Sequence, residues 1–265
     1  MQLLNRIYSD FLLPSRMDEY EKLIVSAKEA GYKHITIREF YHLLKTSSLS
    51  TSDRYFIHRH DIDTDIKTAR LFFEIEKKHQ VLTSYYFRLS TFDAKLIKEI
   101  DEAGFEVGYH FEELSEFCKQ YGIKKSSDVP SHFDTIANNF KTNCSYFEEK
   151  SKIKIKSVAA HGDFVNRVIN MPNNAFITTN LLNSLGIEFE CYDELLIKNY
   201  NYIGSDTIYP NFYRPSSPFE AIQNDIPVIY FLSHPRHWRS NIIENLTDNI
   251  NRFKEGRSYN RKKGR

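Results

Sequence analysis

Strand-like and helix-like runs alternate along most of this 265-residue chain, and that alternation limits its fold more than any other feature. Apolar residues recur at helical spacing over 18–30 and stop at Gly31, a residue that commonly ends helices. A short strand over 34–36 and a helix over 38–45 follow. The same unit then recurs as strand 54–60 with helix 65–80, strand 82–89 with helix 92–103, and strand 105–109 with helix 133–150. Strand 153–160, helix 175–185, strand 187–192, strand 200–203, helix 218–224, strand 228–232 and a last helix over 238–253 complete the series. Repeated β-then-α units predict a mostly parallel sheet joined by right-handed crossovers. About seven units in one chain of this length predict an α/β deformed (β/α) barrel forming a single domain over 1–256. The stretch 114–130 reads as loop with short helix. Residues 257–265 are basic and read as a disordered, solvated tail.

Composition narrows the function classes. A formal charge of +1 gives no bulk attraction for nucleic acid. Three cysteines without close spacing form neither a disulfide framework nor a paired-cysteine metal site, and they fit a reducing, cytoplasmic setting. No basic segment followed by a sustained apolar run opens the chain, and no apolar run approaches the ~18 residues that span a bilayer, so no stable membrane insertion is expected. The 17 Tyr and 20 Phe serve a packed core or sugar-stacking surfaces.

Ionisable residues gather where the expected strands end. The first such strand runs through Phe56-Ile57-His58-Arg59-His60 into Asp61-Ile62-Asp63. Alternate side chains of a strand share a face, so Asp61 and Asp63 point together, and two crowded carboxylates repel unless a cation or a proton lies between them. His58 and His60 fall on the opposite face. His110 follows Val107-Gly108-Tyr109, His161 follows Val158-Ala159-Ala160, and His234 follows Phe231-Leu232-Ser233. The carboxyl ends of barrel strands converge on one rim, where active sites lie. Carboxylate oxygen and imidazole nitrogen there suit zinc or a neighbouring divalent ion, with a further carboxylate to take a proton from water and a histidine to give one up.

In this order the residues resemble the motifs of the polysaccharide deacetylases, carbohydrate esterase family four, and in particular a divergent branch whose first motif reads HDxD. His60-Asp61-Ile62-Asp63 resembles that motif and Gly108-Tyr109-His110-Phe111-Glu112 the second. Ala160-His161-Gly162-Asp163 is similar to a central His-Gly motif, Tyr202-Ile203-Gly204-Ser205-Asp206 to a Tyr-Ile-Ser-Asp segment, and Leu232-Ser233-His234-Pro235-Arg236-His237-Trp238 to the final motif. The resemblance implies a metal-dependent hydrolase, with zinc as the favoured ion, that removes an N-acetyl or similar acyl group from a sugar or sugar-linked intermediate in polysaccharide or glycoconjugate biosynthesis. It implies Asp61 as general base, Asp63 and His110 as metal ligands, and His234 as the acid that protonates the departing amine.

The third ligand departs from the family pattern, which places a second histidine four residues after the first; Leu114 stands there. His161 is the expected replacement and Glu113 the alternative. Asp206, Arg214 and Trp238 are expected at the substrate. Asp206 can instead orient His234 or cap a turn, Arg214 can bridge to a surface acid, and Trp238 can pack at the start of a helix. Two other readings remain: a glycosyltransferase holding a nucleotide-sugar through Asp61-Ile62-Asp63, and a sugar-binding barrel that has lost its metal.

Overall fold

In the computed structural model, which describes residues 2–50 and 52–262, nine strands form one sheet. They are β1 (Tyr32–Ile35), β2 (Arg54–Ile62), β3 (Ser84–Phe87), β4 (Glu106–Phe111), β5 (Ser157–Ala160), β6 (Phe189–Glu190), β7 (Tyr202–Asp206), β8 (Tyr213–Arg214) and β9 (Val228–Ser233). Their spatial order is β6-β5-β4-β3-β2-β9-β7-β8, with β1 beside the first half of β2. All pairings are parallel except β7 with β8. Among the described residues no pairing joins β6 to β8, so the deformed barrel stays open there. Of the nine, β8 alone has no counterpart among the strands expected from the sequence, because its two residues are too few to show a period.

The sheet is held from both sides. On one side of β2, Phe56 and Ile62 pack with Tyr20, Leu23 and Phe72 from the surrounding helices. On the other, Tyr55 and Ile57 meet Ile37, Phe40 and Tyr41 of the helix Ile37–Lys45, which plugs the lumen with Tyr86 and Tyr230. Each such buried side chain contributes about 1.5–3 kcal/mol. Gly108 in β4 is required beneath the site: a Cβ there would lie 2.3 Å from the Tyr86 ring and 2.7 Å from the Ser157 carbonyl oxygen.

Helix ends follow local chemistry. Asp65 caps Ile66–His79 by accepting from the Thr68 N–H at 3.2 Å. The polar stretch after β4 contains a nine-residue helix, Glu113–Tyr121, more regular than the sequence implied. The last helix is displaced from its expected limits: Asn241 caps it, so it runs over Ile242–Arg261. Residues 257–261, expected in a disordered tail, are therefore helical. Tyr259 anchors them, buried, with its hydroxyl donating to the Ile123 carbonyl at 2.5 Å. The remaining tail residues 263–265 lie outside the described residues. No helix among the described residues is long and apolar enough to cross a membrane.

Candidate metal centre

Three strand ends deliver one cluster. Asp63 follows β2, His110 lies near the end of β4, and His161 follows β5. Asp63 Oδ1 is 3.2 Å from His110 Nε2 and 3.1 Å from His161 Nδ1, and the two nitrogens are 3.2 Å apart. His110 donates its Nδ1–H to the Ala159 carbonyl at 2.9 Å, which leaves Nε2 as a lone pair aimed at the carboxylate. Asp63 Oδ1 is buried without a hydrogen-bond partner. A lone pair and a bare carboxylate oxygen facing each other call for a cation between them. The oxygen and two nitrogen donors fit a divalent ion of the zinc class with a position left open.

Asp61 is arranged differently. Arg59, two residues earlier on the same face of β2, donates Nε–H to Asp61 Oδ1 at 2.6 Å and Nη2–H to Oδ2 at 2.7 Å. Both side chains are buried. Arg59 is itself set by the Tyr230 hydroxyl at 3.1 Å and by the rings of Tyr86 and Tyr192. Asp61 Oδ2 also lies 3.4 Å from His110 Nε2, beside the cluster. Sequence reading missed Arg59, although strand alternation places it with Asp61 and Asp63. That alternation correctly separates His58 and His60: they face the helices, His60 Nε2 at 2.7 Å from Glu76 Oε1 and His58 Nε2 at 2.7 Å from Ser233 Oγ.

A second group lies across the opening. Asp206, at the end of β7, is buried and accepts four hydrogen bonds. His234 supplies two, from its backbone N–H at 2.6 Å and from Nδ1 at 2.7 Å; His237 Nδ1 donates at 2.8 Å and Trp238 Nε1 at 2.8 Å. Burial would raise the Asp206 pKa, and the two imidazoles reverse that and hold it far below its usual value. Burial likewise disfavours a charged His234. The Asp206 carboxylate outweighs it, with help from Asp63 and Asp61, and holds the imidazole at about 9. With Nδ1 fixed on Asp206, its Nε2 is the free nitrogen.

Two expected substrate contacts change place accordingly. Asp206 has both oxygens engaged by protein donors and orients His234. Trp238 is fully buried, with its only polar atom on Asp206, so it packs rather than faces a substrate. Arg214 is exposed on β8 and lines a cavity of about 250 Å³ with Asp63, His161, Asp206 and His234. A larger neighbouring cavity, about 600 Å³, shares Asp63 and His161 and adds Arg88, Arg167 and Arg252. Glu113, the alternative ligand, points away. Its carboxylate sits under the Tyr109 hydroxyl at 2.7 Å and Asn143 Nδ2 at 2.9 Å, and burial pushes it up to about 7. Leu114 is wholly buried in the core, so the second motif cannot supply another ligand from that position.

An open β/α barrel with a carboxylate–bis-histidine cluster at its carboxyl rim is the class that fold and site define. No family model and no curated protein matches the chain. Among solved structures the chain is similar to IcaB from Ammonifex degensii, at 15% identity and a TM-score of 0.46 over 67% of this chain and 78% of that one. It is similar to the Streptococcus pyogenes deacetylase PplD in complex with acetate, at 12% identity and a TM-score of 0.45 over 83% and 84%. It is also similar to a mutant CE4 family pseudoenzyme with restored enzymatic activity, at 14% identity and a TM-score of 0.41 over 78% of this chain. The chain spans 65% of the length of that pseudoenzyme, which belongs to the family whose motifs the sequence resembles.

Proposed function

We propose that this protein is a metal-dependent hydrolase that removes an N-acetyl or similar acyl group from a sugar or sugar-linked intermediate. The observation that carries the reading is the division of labour between the two carboxylates of β2. Asp63 faces two imidazole nitrogens, whereas Asp61 is held apart by Arg59 and remains beside the cluster without joining it. The glycosyltransferase reading needs both carboxylates on one ion, and Arg59 occupies both oxygens of Asp61.

Asp63, His110 and His161 would hold the ion. When bound, a divalent ion there polarises the amide carbonyl, stabilises the developing oxyanion and makes water more acidic. Asp61 takes the proton from the attacking water. Arg59 fixes the direction of that carboxylate and stands beside it as its counter-charge inside the protein. His234 carries a proton on Nε2 and delivers it to the amine nitrogen as the C–N bond breaks. Asp206 keeps the tautomer and orientation that this requires. Arg214 lines the cavity edge, and in this reading it contacts an anionic or hydroxyl group of the substrate.

The test is release of acetate from short N-acetylglucosamine oligomers by the zinc-loaded protein, with and without a chelator. Chelator-sensitive release that Asp61→Asn abolishes supports the reading. Full activity in Asp61→Asn contradicts it.

A further inference from the structure

The last helix wears its apolar face outward. Ile242, Ile243, Leu246, Ile250 and Phe253 are exposed, Ile243 by 77% and Phe253 by 69%. Positions 242, 246, 250 and 253 recur at the spacing that keeps side chains on one side of a helix. In an ordinary surface helix that stripe faces the core. Here the contacts with the rest of the protein come from the flank of the stripe: Asn245 Nδ2 donates to the Asp10 carbonyl at 2.7 Å, and Asn249 Nδ2 to Asp10 Oδ2 at 3.0 Å.

The neighbouring first helix, Gln2–Ile7, joined to the last one by Arg6 donating to Asn249 Oδ1 at 3.2 Å, does the same. Leu3 is 71% exposed and Leu4 70%, with Ile7 and Leu12 exposed beyond them. Single exposed apolar residues are ordinary, but eight large ones on these two helices, with Leu12 in the turn after the first, mark an interaction surface.

Charge specifies the occupant. Past Ile250 the helix carries Arg252, Lys254, Arg257 and Arg261 against the single acid Glu255. Arg257 and Arg261 continue the line of the apolar stripe, and neither has an ion-pair partner among the described residues. An apolar stripe edged by cations is the arrangement with which a helix lies in a bilayer interface, apolar side chains among the acyl chains and cations on anionic headgroups. We propose that the two terminal helices dock this protein, as a peripheral protein, on an anionic lipid surface. The cavity holding Asp63 and His161 opens beside them, lined by Arg6, Thr247, Arg252 and Phe253. Docking would bring that opening to the headgroup layer.

Vesicle flotation tests this without reference to catalysis, so the outcome is independent of the proposed hydrolysis. The wild-type chain is expected to float with equimolar phosphatidylcholine–phosphatidylglycerol vesicles at low salt, several-fold less with phosphatidylcholine alone, and less again as salt rises. Ile243→Glu combined with Phe253→Glu is expected to reduce flotation about tenfold with an unchanged melting temperature, since both positions are exposed. Should that variant melt early, Arg257→Glu with Arg261→Glu carries the same expectation. Wild-type protein that stays with the dense fraction would overturn the proposal. So would undiminished flotation of folded variants, or a dimer in solution that the apolar variant dissociates without any vesicle binding.

Discussion

Arg59 grips Asp61 from two residues away on the same strand, Nε to Oδ1 at 2.6 Å and Nη2 to Oδ2 at 2.7 Å, both side chains buried. Such a pair is costly to halve, because the partner left behind is an uncompensated buried charge. Arg59→Met should therefore destabilise the protein by about 3–5 kcal/mol. It should also lower kcat by about a hundredfold through misplacement of the base, while bound metal stays near wild type. Denaturant melts, steady-state kinetics and metal analysis on the same preparation separate these effects. Loss of metal with Arg59 would mean that Asp61 belongs to the ligand set.

The neighbouring carboxylates should fail in different ways. Asp61→Asn is expected to abolish turnover and keep the ion; Asp63→Asn is expected to lose the ion first and turnover with it. Metal titration by calorimetry, read beside acetate release, distinguishes them. The account gives way if the two variants behave alike.

Asp206 holds His234 Nδ1 from behind at 2.7 Å, and through it should set the working pH range. An imidazole in the proposed role of acid must be protonated, so the rate should fall as pH rises through its pKa. Burial works against the charged ring and the Asp206 carboxylate overrides it, giving about 9 in the metal-free site. A divalent ion at Asp63 offsets that carboxylate's share, so the alkaline limb of the loaded protein should lie somewhat below this. Asp206→Asn removes the main counter-charge and should shift the limb of kcat/KM down by about one unit or more. A pH–rate profile of the variant with an unmoved alkaline limb would exclude His234 as the acid.

Glu113 offers a stability test away from the chemistry. Burial raises its pKa from the ordinary value to about 7 in the folded chain. The folded state thus binds a proton more tightly than the unfolded one, and the stability this brings is full at low pH and is lost as pH climbs to about 7. By the conversion of about 1.4 kcal/mol per unit, the loss is on the order of 3 kcal/mol. Glu113→Gln mimics the protonated form, so it should match wild type near the low end and exceed it in urea stability above the high end. Its zinc content should be unchanged.

The sequence made the barrel and its rim readable because parallel β/α units leave long periodic runs, and because Asp61, Asp63, His110, His161 and His234 all fall at strand ends. His161 was the expected partner of Asp63 and His110, with Glu113 as the alternative, and the structure brings His161 together with them. Other features lay beyond sequence periodicity. Arg59 looked like one more strand residue, since nothing local shows that its guanidinium turns along the strand to meet Asp61. Trp238 looked like a sugar platform because an aromatic after a histidine reads alike whether it faces a cavity or turns its indole N–H inward to a buried carboxylate. The length of the last helix was hidden by its polar C-terminal half, where Tyr259 is the single deep anchor.

Asp63, His110 and His161 are proposed to hold one divalent ion between them. Elemental analysis of protein dialysed against zinc, wild type beside His161→Ala, tests it most directly. One zinc per wild-type chain is expected, falling towards none in the folded His161→Ala variant. No bound metal in the wild-type chain, or an unchanged content without His161, would contradict it.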